Sequence, residues 1–182
     1  MPRHWDDYYA KADGLDFTPA PLLVEVAGKL PPGCALDLAC GHGRNTIYLA
    51  GLGWRVTAVD SSPVAIRRLR ERSPGLNVNS RVADLEAGEF PILPASFELI
   101  CDFFYLERDL FPQIREGVRP GGLFVGAIHL FDPAAVPARN PTYQLRPGEL
   151  REEFAGWKIL LYSEGLEAGR TRPAACIVAR RG

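Results

Sequence analysis

The run Ala35-Leu36-Asp37-Leu38-Ala39-Cys40-Gly41-His42-Gly43-Arg44-Asn45 limits the folds open to this chain more than any other stretch. An apolar segment carries an acidic residue, enters a glycine-bearing turn and meets a polar helix start. Two glycines flanking one residue let the backbone bend sharply and approach a ligand with no Cβ in the way. The helix that follows would point its free N–H groups back at that ligand. The Asp37 carboxylate beside the turn can attract a cation. A small molecule carrying both an amine and a carboxylate would suit such a site.

The pattern around this turn alternates between strand and helix. Strands are expected at 34–38, 55–59, 77–83, 97–103, 123–130, 157–164 and 174–180. A short aromatic helix is expected over 5–12, then a second capped by Thr18-Pro19 with Leu22, Val26 and Leu30 on its buried face. Further helices are expected over 45–52, after the cap Ser62-Pro63, around Phe111, Ile114 and Val118, and over 147–154. Pro120-Gly121-Gly122 reads as the stop of the helix at Phe111. Strands alternating with helices give an α/β fold, a mostly parallel sheet with helices on both faces. The last two strands are joined too closely for a parallel crossover, so the sheet should end antiparallel. Ligands on such sheets bind beyond the carboxyl ends of the strands. The residues there are Ala39 to Gly43, Asp60, Asp84 and Asp102 to Tyr105.

At 182 residues the chain fits one domain, 1–182, with an N-terminal helical arm at 1–30 and a core at 31–182. A net charge of −1 argues against nucleic acid or an anionic membrane surface as partner. No apolar run is long enough for a membrane span, and residues 1–7 lack a signal-peptide core, which places the protein in the cytoplasm. Cys34, Cys40, Cys101 and Cys176 read as buried free thiols. No C-x-x-C pair exists and the three histidines are scattered, so no metal site is expected.

Several residues carry candidate chemistry. Asp60 ends the second strand, where a carboxylate takes both hydroxyls of a ribose or caps the next helix. Asp84 ends the third strand and could accept from an adenine amine with Leu85 against the ring, or close a turn. Arg44 suits an anionic substrate or a cofactor carboxylate, or is a solvated residue near a helix start. His129 and Tyr105 are the candidate catalytic bases, though a structural role fits His129 equally well. The arginines at 67, 68, 70 and 72 read as a solvated helix face. A dinucleotide fingerprint is incomplete, because Gly41-His42-Gly43-Arg44-Asn45-Thr46 lacks the third small residue.

These residues resemble the class I S-adenosylmethionine-dependent methyltransferases. That family's first motif is an acidic residue, x, Gly, x, Gly, x, Gly; here it reads Asp37-Leu38-Ala39-Cys40-Gly41-His42-Gly43, with alanine for the first glycine. The resemblance implies a Rossmann-like sheet of seven strands with the last one antiparallel. It also implies that Asp37, Ala39, Cys40, Gly41, Gly43, Arg44 and Asn45 face the methionine part of the cofactor. Asp60 and Ser61 would hold the ribose, Asp84 and Leu85 the adenine, and Asp102 and Phe103 would lie beside the sulfonium. Gly43-Arg44-Asn45, Phe103-Phe104-Tyr105-Leu106, Asn140-Pro141 and Gly148-Glu149-Leu150 are similar to the small tellurite-resistance and thiopurine-type branch. In that branch an N-terminal aromatic helix covers the cofactor, a part open here to Trp5, Tyr8 and Tyr9. The implied reaction is methyl transfer from S-adenosylmethionine to a small-molecule acceptor such as a thiol or chalcogen compound. A non-catalytic S-adenosylmethionine-binding module is the alternative.

Overall fold

The structure is a computed structural model that describes residues 5–11, 14–133, 140–166 and 171–182. Its strands are β1 (Cys34–Leu38), β2 (Arg55–Asp60), β3 (Val78–Val82), β4 (Phe97–Phe103), β5 (Val118–His129), β6 (Lys158–Gly165) and β7 (Ala174–Arg180). Its helices are α1 (Trp5–Ala10), α2 (Pro21–Ala27), α3 (Arg44–Gly51), α4 (Pro63–Arg72), α5 (Leu110–Gly117) and α6 (Glu149–Glu153). The strands form one seven-stranded sheet in the order β3-β2-β1-β4-β5-β7-β6. Neighbours from β3 through β5 are parallel. β7 runs antiparallel to both β5 and β6. The fold is therefore the expected α/β sheet with its last strand reversed.

Alternation along each strand divides the core in two. Leu36, Ile100, Phe124 and Ile177 point to the face covered by α5 and α6. Ala35, Leu99, Cys101, Val125 and Val178 point to the other face, with Leu23 of α2 and Leu49 of α3. Ile66 and Leu69 of α4 pack on Ala58 and Cys40. Strand order reverses between β1 and β4, so the crevice beyond their carboxyl ends is the natural ligand site. Cys40, Cys101 and Cys176 are buried and Cys34 is half-buried.

Five local expectations are corrected. Thr18-Pro19 does not cap α2; that helix starts at Pro21 after Ala20, whose N–H is taken by Asn45 Oδ1 at 2.9 Å. Its buried residues are Leu23 and Ala27, while Leu22, Val26 and Leu30 are only partly covered. Val118 is not in α5. It opens β5 opposite Phe97, and Pro120-Gly121-Gly122 lies within that strand, where Gly121 N–H and Gly122 C=O bond to Arg181. Finally, all four arginines on α4 have partners, Arg67 pairing with Glu71 at 3.9 Å. Arg68 donates to Ala10 O, Arg70 to Ser80, and Arg72 covers the Phe17 ring at 3.9 Å.

Gly43 shows why this turn needs glycine. It precedes α3 with φ of 85°, a conformation L side chains disfavour, and a Cβ there would run into Leu69 Cδ1 of α4. Gly43→Ala should lower unfolding free energy by about 1–3 kcal/mol in urea titrations, from left-handed strain plus overpacking. Adding Leu69→Ala to that variant should leave a smaller penalty than the two single losses summed, because the clash is shared.

Candidate functional site

The site is built from the turn after β1 and the tips of β2 and β4. Ala39, Gly41 and Gly43 all lie at positive φ, 48°, 57° and 85°. Ala39, which stands at the first glycine position of the motif, adopts the glycine-like conformation despite a strain of about 1–2 kcal/mol. Hydrogen bonds to the tip of β2 offset that strain. Cys40 N–H donates to Val59 O at 2.9 Å, and Gly41 N–H donates to Asp60 Oδ2 at 2.8 Å.

Asp60 is 7% exposed and holds two turns at once. Its other oxygen accepts from Ser62 N–H at 2.9 Å. Ser62 Oγ in turn accepts from Ala65 N–H at 3.1 Å and caps α4. Asp60 is thus placed at the strand tip as expected, but it bonds backbone amides on both sides. Burial pushes its carboxyl above the usual range, the two amides oppose this, and the Asp6 charge adds to it. The neighbouring serine with a structural role is Ser62, since Ser61 is exposed.

Asp37 does not face open space. It is 1% exposed and accepts from Thr46 Oγ1 at 2.6 Å and from Cys101 Sγ at 3.4 Å. It holds the first turn of α3 to β1 from beneath. Arg44 is engaged by the arm: its guanidinium meets Asp16 Oδ2 at 3.0 Å and Thr18 O at 3.3 Å. Asn45 accepts from Ala20 N–H. Both residues anchor the chain before α2 to the glycine turn, which no local pattern revealed. His42, also unanticipated, bonds Asp16 O through Nε2 at 2.9 Å and meets the Phe17 ring edge-on at 4.8 Å.

The aromatic arm lies over the turn. Tyr9 stacks with Trp5 at 6.2 Å and contacts Tyr8 edge-on at 5.0 Å. Its hydroxyl sits 2.5 Å from where a Gly41 Cβ would be. Burial and the Asp60 and Cys40 charges hold that phenol well above its ordinary range.

At the end of β4 the chain turns through Phe104, an aromatic residue at φ of 70°. Such a conformation is a genuine outlier for a bulky side chain and concentrates at functional sites. Phe104 N–H donates to Ala127 O at 2.7 Å, and its ring stacks on His129 at 4.8 Å and 29°. Asp102 is buried and accepts from Tyr105 N–H at 3.3 Å, while Phe103 packs against the α2–α3 side of the core. Burial, then the Glu86, Glu107, Asp102 and Asp84 charges, raise the Tyr105 phenol far above its ordinary range. That direction favours the protonated phenol, a hydrogen-bond donor. Asp84 is exposed and closes a turn by accepting from Glu86 and Ala87 N–H; Leu85 is 6% exposed in the core. Across the crevice Arg108 bonds the buried Glu149 at 2.6 Å and the carbonyls of Thr142 and Gln144. This explains the segment around Gly148-Glu149-Leu150: Gly148 takes φ of 83°, and Glu149 accepts from Arg146 N–H and ties the loop before α6 to Arg108, just ahead of α5.

Burial of Asp37 has a consequence for stability. Desolvation raises its carboxyl to about 6 from 3.8, only partly opposed by Thr46 and Cys101. A raised folded-state value favours the folded state below the unfolded value and loses that contribution as pH rises through the folded one. Relative to Asp37→Asn, the wild type should therefore lose roughly 2–3 kcal/mol of unfolding free energy between pH 4 and pH 7. Urea unfolding of both proteins at the two pH values measures this. A constant difference would mean that Asp37 titrates normally.

Comparison with known proteins fits this geometry. The tellurite resistance protein TehB family matches residues 3–172. The probable S-adenosyl-L-methionine-dependent methyltransferase TehB of Haemophilus influenzae (strain 10810) is 30% identical over 173 residues, 88% of this chain and 58% of that protein. The uncharacterized methyltransferase YodH of Bacillus subtilis (strain 168) is 31% identical over 166 residues, 87% of this chain and 69% of that one. The crystal structure of TehB from Haemophilus influenzae superposes with a TM-score of 0.80 at 25% identity, over 98% of this chain and 67% of that one. The chain thus spans a little over half of the curated TehB proteins that it matches. Among the described residues no helix is long and apolar enough to cross a membrane. By sequence and by fold, the chain belongs to the TehB family of class I S-adenosylmethionine-dependent methyltransferases.

Proposed function

We propose that this chain transfers a methyl group from S-adenosylmethionine to a small, soft acceptor, such as a thiol or a chalcogen compound. The observation that carries this reading is the glycine turn tied to a buried carboxylate, with Gly41 N–H on Asp60 Oδ2 at 2.8 Å beside the reversal in strand order. The residues present fit the cofactor. Gly41 has no Cβ, which lets Tyr9 of the arm close down on the turn, and Asp60 retains lone pairs beyond the two used by amides. The free N–H groups at the start of α3 favour a carboxylate. Asp60 would hold the ribose, Leu85 and Asp84 would border the adenine, and Asp102 and Phe103 would border the methyl-bearing sulfur.

S-adenosylmethionine supplies a methyl on a cationic sulfonium, open to in-line displacement. The chain's part is alignment and exclusion of water. The aromatic faces of Phe103 and Phe104 suit a cation. Phe104, held at φ of 70° against His129, would form the acceptor wall. A soft nucleophile needs little help from a base, in keeping with a Tyr105 that retains its proton. The TehB and methyltransferase names of its relatives support this reading.

The test is formation of S-adenosylhomocysteine from S-adenosylmethionine across a panel of thiols, chalcogen oxyanions, phenols and amines. Turnover with a soft acceptor is the expected result; binding without turnover anywhere would leave a cofactor-binding module instead. In calorimetric titrations Asp60→Ala should weaken S-adenosylhomocysteine by about 1–3 kcal/mol. Phe104→Ala should cut acceptor turnover by about tenfold or more while cofactor affinity stays within about twofold. A reversed pattern would move Phe104 into the cofactor site.

A further inference from the structure

One guanidinium joins the two segments that flank the carboxyl ends of β4 and β5. The first segment is the loop 104–109, which opens on the left-handed Phe104. The second is the stretch 140–149, laid beside the end of β5. There Leu145 N–H donates to His129 O at 2.9 Å, and Phe131 N–H donates to Leu145 O at 2.8 Å. Arg108 reaches from the first segment to the second with four hydrogen bonds. Its Nε and Nη2 donate to the two oxygens of Glu149 at 2.6 and 3.2 Å. Its Nη1 donates to Thr142 O at 2.9 Å, and Nη2 also donates to Gln144 O at 3.1 Å. Glu149 and Gln144 are each 4% exposed, so the far segment is anchored in the core. The contacts close a ring. Phe104 stacks on His129, His129 holds Leu145, the chain leads on to Glu149, and Glu149 returns through Arg108 to the loop that carries Phe104.

Two arguments give this ring a purpose beyond holding the chain together. A strained conformation such as that of Phe104 persists only where its surroundings over-determine it. Phe104 N–H is taken by Ala127 O and its ring lies on His129, so β5 holds the loop at its start and Arg108 holds it at its other end. A buried ion pair, moreover, adds little net stability over an apolar pair of the same shape. What a planar fork spread over a carboxylate and two carbonyls adds is direction. We propose that Arg108 is a positioning residue for methyl transfer: with Glu149 it fixes the separation of Phe104 from the stretch 140–149, and so the size of acceptor that meets the sulfonium in line. This rests on the methyltransferase reading above and adds to it a residue that acts through Phe104 rather than by contact. Opening the ring lets Phe104 relax toward negative φ. Compact acceptors, which depend on a close wall for alignment, then lose the most.

The test uses Arg108→Lys, which keeps a charge beside the buried Glu149 but lacks the fork. Arg108→Ala would strand that carboxylate and destabilise the fold. In Arg108→Lys the affinity for S-adenosylhomocysteine should stay within about twofold of wild type, the mark of a folded protein with its cofactor site intact. Its kcat/KM for a compact alkanethiol should fall about tenfold, and for a bulky aromatic thiol less than about threefold. Equal losses for the two thiols, or no loss, would overturn the proposal and leave the pair as a structural tie. A second readout needs no turnover: the proton signals of the His129 imidazole, which lies in the ring current of Phe104. Phe104→Leu marks where those signals fall once the ring is gone. Arg108→Lys and Glu149→Gln should each move them part of the way there. Signals that stay at their wild-type positions in both variants would overturn the proposal. A wild type that binds S-adenosylhomocysteine but methylates no acceptor would overturn the methyltransferase reading, and the acceptor role of Arg108 with it, even where the imidazole signals move.

Discussion

The bond from Gly41 N–H to the Asp60 carboxylate is the contact on which the site depends. It joins the turn after β1 to the tip of β2, and through Ser62 to the start of α4. A carboxylate hydrogen-bonded to two amides is rigid, and the charge-assisted bonds are stronger than neutral ones. With that anchor the strained Ala39 and the left-handed Gly41 and Gly43 hold a single shape. The helix that follows then has a fixed direction, and Asp37 secures it from below through Thr46. Sheet, turn and helix start thus behave as one unit.

Onto this unit the chain folds its own N-terminal segment. The contacts of that segment fall on the residues that shape the crevice: Asp16 on Arg44 and His42, Ala20 on Asn45, Tyr9 on Gly41 and Asp6 on Ser62. Far from a passive extension, this stretch covers the turn. Polar residues that a motif reading assigns to the cofactor are shared with the arm, so the two functions are coupled by geometry.

Most of the sheet was legible in the sequence because apolar runs between turn residues have few alternatives. β1, β4 and β7 match their expected bounds, and the reversal of β7 followed from the short connection after β6. The failures share a cause, contacts between residues far apart in sequence. Val118 has helical spacing with Phe111 and Ile114, yet the chain before it already pairs with Ala95 and Ser96. Gly121 and Gly122 look like a helix stop, yet the C-terminal Arg181 bonds both. In the same way the sequence gives no sign that Arg44 and Asn45 meet Asp16 and Ala20 of the N-terminal segment. The strand-tip placement of Asp60 was read correctly, while its backbone partners and the role of Ser62 were not visible. The left-handed Phe104 had no signal either, because nothing in its chemistry favours that conformation.

The far end of the sheet carries a different consequence. The pairing of β6 with β7 slips between Ile159 and Leu161, so the outermost strand is irregular where Leu160 and Leu161 are exposed. On a straight border, apolar side chains and outward backbone groups would template the addition of another chain. The extra residue bends the strand and breaks the even spacing of those groups. Growth of the sheet by recruitment of foreign strands is thereby discouraged at a margin where greasy residues would otherwise invite it.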